Sequence, residues 1–410
     1  MIVRSDNEWG RLRSVIVGRA DNARVPVSDV SLRAVNYAGI PRPIHSGPYP
    51  QRVIDEANED LEFLCDAFAS AGVDVYRPDV PRTDVRHGAD GWCSDGYYAF
   101  CPRDGLLVVG DTIVEAPMAL RSRFTDAFPY RRILQKAMLD GARWIAAPKP
   151  SLPDEGYDER ADRDHKSLRN LEPVFDAANV LRADRDLFFL ESNSGNALGA
   201  AWLQRALGSH YTVHLLSGIY SYMHLDSTIS LLRPGLVLLN PQRLNSTNIP
   251  AALRTWRILW CPPPVDIGFV EPYEHASLWI GMNLLMLDEQ TAIVEKSQVP
   301  LIRLLEQEGI TVVPVPMRHA RTLGGAIHCV TLDLQRNWFR HLATRPSYRQ
   351  DFSSRSATGA RRPVARGTGG WVRPSSKDHG MGPQRRHARA SMAIWRGAPF
   401  LYENASCAAS

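Results

Sequence analysis

Apolar residues in this chain fall in short, dense runs separated by polar turns. Four segments read as two apolar strands joined by a tight turn: LLVVGDTIVEAP (106–117), VLRADRDLFFLES (180–192), ISLLRPGLVLLNP (229–241) and NLLMLDEQTAIVEKS (283–297). Gly-Asp, Asp-Arg-Asp, Arg-Pro-Gly and Asp-Glu-Gln at the turns suit hairpin connections. After two of the hairpins the pattern changes to a helical period and then returns to a strand. SGNALGAAWLQRALG leads to YTVHLLS, and VPLIRLLEQEG leads to ITVVPVPM, each with Gly where a helix stops. RVIDEANEDLEFLCDAFASAG (52–72) predicts a further helix leading into VDVYRP, with Cys65 reading as a core residue. A fifth strand candidate, CVTLDL from Cys329, is expected to pair with SVIVG (14–18), closing the chain ends on each other. Together these predict an α/β fold of five ββαβ-like units. The hairpins start at 106, 180, 229, 283 and 329, a spacing too uneven to prove a repeat by itself.

Composition places these elements in a globular chain. Of 410 residues, 44% are hydrophobic and 22% charged, ample for a large core. No apolar run is long enough for a transmembrane helix, and the N-terminus lacks an apolar signal core, so a cytoplasmic protein without membrane contact is expected. The six cysteines read as reduced thiols. With no CxxC pair and no His/Cys cluster at zinc spacing, neither metal nor cofactor is expected.

Charge divides the chain. Residues 336–410 carry 13 Arg and 1 Lys against 2 Asp and 1 Glu, whereas residues 1–335 are net acidic. The basic segment has no sustained apolar period, so it is expected to be a disordered or atypical appendage to a catalytic domain over 1–335. Basic tails suit polyanions. No nucleic-acid-binding module accompanies this one, so no nucleic-acid partner is expected.

Chemistry-bearing residues recur just ahead of the hairpins. Asp104 precedes the first, Asp176 the second, His224 and Asp226 the third and Ser277 the fourth, while Cys329 opens the fifth. Taken singly, each has a plainer reading: turn chemistry for an Asp, a loop position for His224, a buried thiol for Cys329. On a strand, His224 and Asp226 would share one face. If the five units surround one axis, all these positions converge.

NEWGRLRSVIVGRA, CPRDGLLVVG, EAPMALRSRF, EPVFDAANVLR, MHLDST, RPGLVLLNP, WIGMNLLML and TLGGAIHCVTLD, in this order across residues 7–335, resemble the amidinotransferases. This family includes arginine:glycine amidinotransferase and the inosamine-phosphate amidinotransferases of streptomycin-type aminoglycoside pathways. ARVPVSD, SGPYPQRV and LLNPQRLN look most similar to the latter. The resemblance implies a pseudo-fivefold α/β propeller with a central site, and transfer of an amidino group from L-arginine to an amine acceptor. It implies Cys329 as nucleophile, His224 as proton carrier and Asp176 as the residue orienting His224. Asp104 and Asp226 would hold the guanidinium, and Arg243 and Ser277 the amino-acid end of arginine.

The resemblance also places acceptor selection at Ser221, Tyr222 and Met223, where Ser221 looks like the inosamine branch and Met223 like the glycine branch. An inosamine phosphate is the expected acceptor, with glycine or another small amine as the alternative and a catalytically impaired arginine-binding protein as a further one. Arg121, Arg123 and Lys149 could contact a phosphate but read more simply as structural. A homo-oligomer is compatible with all of this. Where the family pattern is close to Gly-Gly-Gly-Phe-His-Cys, this chain has Gly-Gly-Ala-Ile-His-Cys at 324–329. A positive φ at the third position would strain the loop at Ala326.

Overall fold

The computed structural model describes residues 1–39, 43–158, 160 and 165–337. All four expected hairpins form. Leu106–Val109 pairs antiparallel with Thr112–Glu115, Val180–Ala183 with Asp186–Leu190, Ile229–Arg233 with Leu236–Leu239, and Leu285–Asp288 with Thr291–Glu295. In each sheet the second strand then pairs parallel with a third: Arg143–Ala146, Thr212–Leu216, Arg257–Trp260 or Thr311–Val315. A parallel partner needs a crossover rather than a turn. The helices Arg131–Leu139, Ala197–Leu207 and Val299–Gln307 supply it in three sheets. In the other, a single 3-10 turn, Ala251–Leu253, stands in the connection.

The fifth sheet joins the two ends of the described chain. Thr331–Asn337 pairs antiparallel with Arg11–Val17, setting Thr331 opposite Val17 and Asp333 opposite Val15. Arg11–Val17 pairs in parallel with Asp74–Tyr76, across the helix Gln51–Ser70. The architecture is thus mixed α/β: five three-stranded sheets of one connectivity, plus two two-stranded ribbons among the described residues.

The last strand extends past the expected domain end. Arg336, read from the sequence as the start of the basic segment, is buried in that strand. Its Nε donates to Asp333, and its Nη1 to the carbonyls of Gly10 and Met286. The remainder of the basic segment, 338–410, lies outside the described residues.

Burial runs across each sheet from the first strand to the third. Leu106–Val109 and Thr112–Glu115 are buried throughout, whereas Arg143–Ala146 is half-exposed or exposed. This explains why the hairpins read as continuous apolar runs without alternation: both faces of their strands meet protein. Each fully buried Leu, Ile or Val contributes about 1.5–3 kcal/mol by leaving water.

A charged lattice is embedded in this apolar surround. Arg182, on the first strand of its sheet, is completely buried. It donates to Glu8 through Nε and Nη2, to Asp333 through Nη2, and to Ser5 Oγ and the Val108 carbonyl through Nη1. Arg103 Nη2 reaches the other oxygen of Asp333 at 2.6 Å. The lattice ties the N-terminal segment, the last strand and the heads of two hairpins together, directly behind the residues singled out in the sequence.

Candidate active site

Each of those residues sits in a helical turn that delivers the chain into the first strand of a sheet. Asp104 is in Pro102–Gly105, Asp176 caps Ala177–Asn179, His224 caps Leu225–Ser227 with Asp226 inside it, and Ser277 caps Leu278–Met282. His224 and Asp226 are therefore not on a strand. In a 3-10 turn, residues two apart point to different sides, and the two side chains take different partners. His224 Nε2 lies 3.0 Å from Asp176 Oδ2, and its Nδ1 is 3.6 Å from Asp104 Oδ1. Asp226 Oδ2 lies 3.0 Å from His328 Nδ1 and accepts from Cys329 Sγ at 3.4 Å.

The segment that carries Cys329 is held from several directions. Asn283 Oδ1 accepts the backbone N–H groups of His328 (2.9 Å) and Cys329 (3.2 Å). Arg103 Nε donates to the carbonyls of His328 and Thr331, so the turn that carries Asp104 also pins the chain around Cys329. Gly324 ends the short helix Ala320–Leu323 in the left-handed region at φ 81°. A Cβ at Gly325 would lie 2.5 Å from Cys101 Sγ and 3.2 Å from Cys329 Cβ, so only glycine fits there. Ala326 has no positive φ, and its side chain packs in the main core with Ile327. The expected strain at Ala326 is absent because the left-handed turn is taken at Gly324.

Electrostatics bind the group into one unit. Burial alone would lower the His224 pKa, but the Asp104 and Asp176 carboxylates outweigh it and push it up to about 9. For Asp226 burial opposes ionisation, yet its bond to His328 and the nearby imidazoles bring it down to about 2. Burial pushes the Cys329 thiol well up, and the Asp226, Cys101 and Asp104 groups push it further. Burial raises Asp104 as well, and its Oδ1 has no hydrogen-bond partner. The cluster thus holds a protonated thiol and a protonated imidazole among carboxylates, of which Asp104 is paired with Arg123 and Asp226 with His328. A cation placed between Asp104 and Asp226 would remove the charges that oppose the thiolate.

Arg243 and Ser277 line a cleft of about 1140 Å³, with Ser221 and Tyr222 also in its wall. Met223, between Tyr222 and His224, is half-buried and packs against the main core. The cluster around Cys329 is itself buried: Cys329 and Asp104 are each 3% exposed. The basic residues considered for phosphate are engaged elsewhere. Arg121 donates to the Leu152 carbonyl and Asp154, Arg123 to Asp104 and Asp126, and Lys149 to the Phe124 carbonyl.

Sequence reasoning missed Glu8, Arg103, Asn283 and His328. Glu8 lies 3.3 Å from His328 Nε2, completing a Glu8–His328–Asp226 chain. All four sit within motifs quoted above, Arg103 and His328 directly beside an assigned residue. Their roles depend on side chains meeting across 45 to 320 residues of sequence. Among the described residues, no group of three or more His, Cys, Asp or Glu is arranged to hold a metal, and no helix is long and apolar enough to cross a membrane.

Comparison with known proteins now adds to the geometry. No family model matches the chain. It is 49% identical over 338 residues to an inosamine-phosphate amidinotransferase of Streptomyces glaucescens, covering 82% of this chain and 97% of that one. It is 38% identical over 348 residues to the mitochondrial glycine amidinotransferase of Gallus gallus, covering 81% of this chain and 82% of the relative. The solved inosamine-phosphate amidinotransferase of Streptomyces griseus matches with a TM-score of 0.81 at 49% identity, covering 82% of this chain and 97% of that one. The chain belongs to the amidinotransferase family.

Proposed function

We propose that the protein transfers the amidino group of L-arginine to a phosphorylated inosamine, releasing L-ornithine, through an amidino-Cys329 intermediate. The observation that carries this is the pairing of Cys329 with Asp226, and of His224 with Asp104 and Asp176, in a chain matching 97% of an inosamine-phosphate amidinotransferase at 49% identity. The five like sheets are then blades of a pseudo-fivefold α/β propeller whose hairpin heads meet at the site. Residues 1–337 form the catalytic domain, and the basic segment is an appendage to it.

The guanidinium binds between Asp104 and Asp226, whose ionised forms accept its parallel N–H groups. Its charge offsets theirs, and the Cys329 thiol ionises, releasing its proton to solvent as arginine binds. Sγ attacks the guanidinium carbon while the bond from that carbon to the arginine side-chain nitrogen breaks. Protonated His224 gives its proton to the departing nitrogen of ornithine. In the second half, neutral His224 takes a proton from the acceptor amine as that nitrogen attacks the amidino carbon. The S–C bond breaks and the thiolate returns. Asp176 holds the imidazole throughout and stabilises its charged form. Burial keeps water from the intermediate, which would otherwise be lost as urea.

Intact mass spectrometry after mixing with arginine alone tests the reading. A covalent amidino adduct with release of ornithine is expected, and neither should occur with Cys329→Ala. Folded wild-type protein that forms no adduct and releases no ornithine would overturn it. Citrulline as the main product would indicate hydrolysis instead. An amine panel including scyllo-inosamine phosphate and glycine then identifies the acceptor.

A further inference from the structure

The described residues lining the cleft include one ammonium and two guanidinium groups, and two of these three are already engaged with carboxylates. Lys166 is paired with Glu191, which also accepts from Ser217 Oγ at 2.8 Å. Arg321 donates to Asp266 at 2.6 Å, to Glu274 at 2.5 Å and to the Ala276 carbonyl at 3.3 Å. Arg243 differs. Its Nη1 donates to the Ser227 carbonyl, Ser227 Oγ and Thr228 Oγ1, each at 2.8 Å, and it pairs with no carboxylate among the described residues. The guanidinium lies over the Tyr220 ring, 3.5 Å from its centroid. No described residue accepts from Nε or Nη2. That edge is the two-pronged side of the guanidinium, shaped for the paired oxygens of a carboxylate or a phosphate. Burial lowers the Arg243 pKa, with the Tyr220 hydroxyl and the Asp226 carboxylate acting against it.

The proposed reaction brings two anionic substrates to this cleft in turn. Arginine carries a carboxylate and a phosphorylated inosamine a phosphate, and ornithine leaves before the acceptor reacts. In arginine the carboxylate lies roughly 6–7 Å from the nitrogen that leaves. A phosphate across the ring of an aminocyclitol stands at about the same distance from the amine. We propose that the Nε/Nη2 edge of Arg243, which the resemblance assigns to the carboxylate of arginine in the first half-reaction, also binds the phosphate of the acceptor in the second. This rests on the amidino-Cys329 reading above. The shared edge requires the two substrates to exclude each other from the free enzyme. It also makes Arg243 the origin of any preference for a phosphorylated acceptor.

Arg243→Lys keeps a cation but loses the paired edge. Amidino transfer is compared for wild type, Arg243→Lys and Lys166→Ala, using scyllo-inosamine phosphate and its dephosphorylated counterpart. Inorganic phosphate is also titrated against arginine binding to wild-type protein by equilibrium dialysis. Phosphate is expected to displace arginine competitively. The preference for the phosphorylated acceptor is expected to fall at least about tenfold in Arg243→Lys, together with a raised KM for arginine, and to persist in Lys166→Ala. A preference that survives in Arg243→Lys, or is lost in Lys166→Ala, overturns the proposal. So does phosphate that fails to compete with arginine, a measurement needing no variant. Adduct formation with arginine alone separates the two ideas. An adduct without phosphate competition sinks only the shared edge. Competition without an adduct sinks the covalent reading and with it the proposal that rests on it.

Discussion

Oδ2 of Asp226 is shared between two neighbours, lying 3.4 Å from Sγ of Cys329 and 3.0 Å from Nδ1 of His328. The His328 bond keeps the carboxylate ionised at neutral pH, and the ionised carboxylate disfavours a thiolate beside it. In the proposed reaction this one charge both holds the guanidinium and restrains the Cys329 thiol until a guanidinium arrives.

Asp226→Asn should separate these two effects. Removing the charge takes away one of the groups that push the Cys329 thiol up, so alkylation by iodoacetamide at neutral pH should speed up. Amidino transfer should fall by about 10–100-fold, because a charge-assisted bond to the guanidinium is lost. The pH profile of alkylation, read beside kcat/KM for arginine, tests both. Alkylation that slows in the variant would contradict the account.

His224 should make stability depend on alkaline pH. Its folded pKa of about 9 stands above the roughly 6.5 of an unfolded histidine. The favourable contribution is then fully present below pH ~6.5 and is lost as the pH rises through ~9. Urea unfolding at pH 6 and pH 10 should show wild type losing roughly 1–3 kcal/mol more than His224→Gln over this interval. Equal losses in the two proteins would mean that His224 is not held protonated by Asp104 and Asp176.

Gly325 should be intolerant of any side chain for a reason that can be relieved. An added Cβ meets Cys101 Sγ at 2.5 Å and Cys329 Cβ at 3.2 Å, so Gly325→Ala must push Cys101 aside and crowd Cys329. A kcat reduced by about 100-fold is expected, since misplacement by around an ångström costs that much. Cys101→Ala removes the sulfur in the way, and the double variant should recover much of the loss. No recovery would show that the segment is set by other contacts.

The hairpins were legible because turn residues and dense apolar runs are local signals. Residues 106–117, 180–192, 229–241 and 283–297 each contain the two strands expected of them, and CVTLDL does meet SVIVG across the chain ends. The missing helix between Leu236–Leu239 and Arg257–Trp260 and the extension of the last strand through Arg336 were less legible. Both are decided by tertiary packing. The chemistry-bearing residues were visible as positions, and the resemblance paired His224 with Asp176 as the structure does, but the partners of Asp226 were not legible. His224 and Asp226 read as partners on one strand, whereas a 3-10 turn sends them to Asp176 and His328. Glu8 and Asn283 carry no local signal of their roles, which arise only when distant segments meet.

Ala326 illustrates how far a motif comparison reaches. Its departure from glycine suggested strain, yet Gly324 takes the left-handed turn and Ala326 is buried in ordinary backbone. Ala326→Gly should therefore bring no gain in kcat. It should lower stability by roughly 0.5–1 kcal/mol through added freedom of the unfolded chain, measurable by urea unfolding. A clear rise in kcat would restore the strain argument.

Arg182 should prove indispensable to folding although it touches no substrate. It is fully buried and links Glu8, Asp333, Ser5 and the Val108 carbonyl, joining the N-terminal segment to the last strand. Removing one partner from a buried ionic group leaves the others uncompensated, at a cost of about 3–5 kcal/mol. Arg182→Met keeps most of the volume and loses the charge, leaving Glu8 and Asp333 with fewer cations. Its unfolding free energy should drop by that amount in urea. Raising the pH should not restore it, because the stranded groups are carboxylates that remain ionised. A loss below about 1 kcal/mol would mean that Arg103 and Arg336, which also reach Asp333, suffice to balance the lattice.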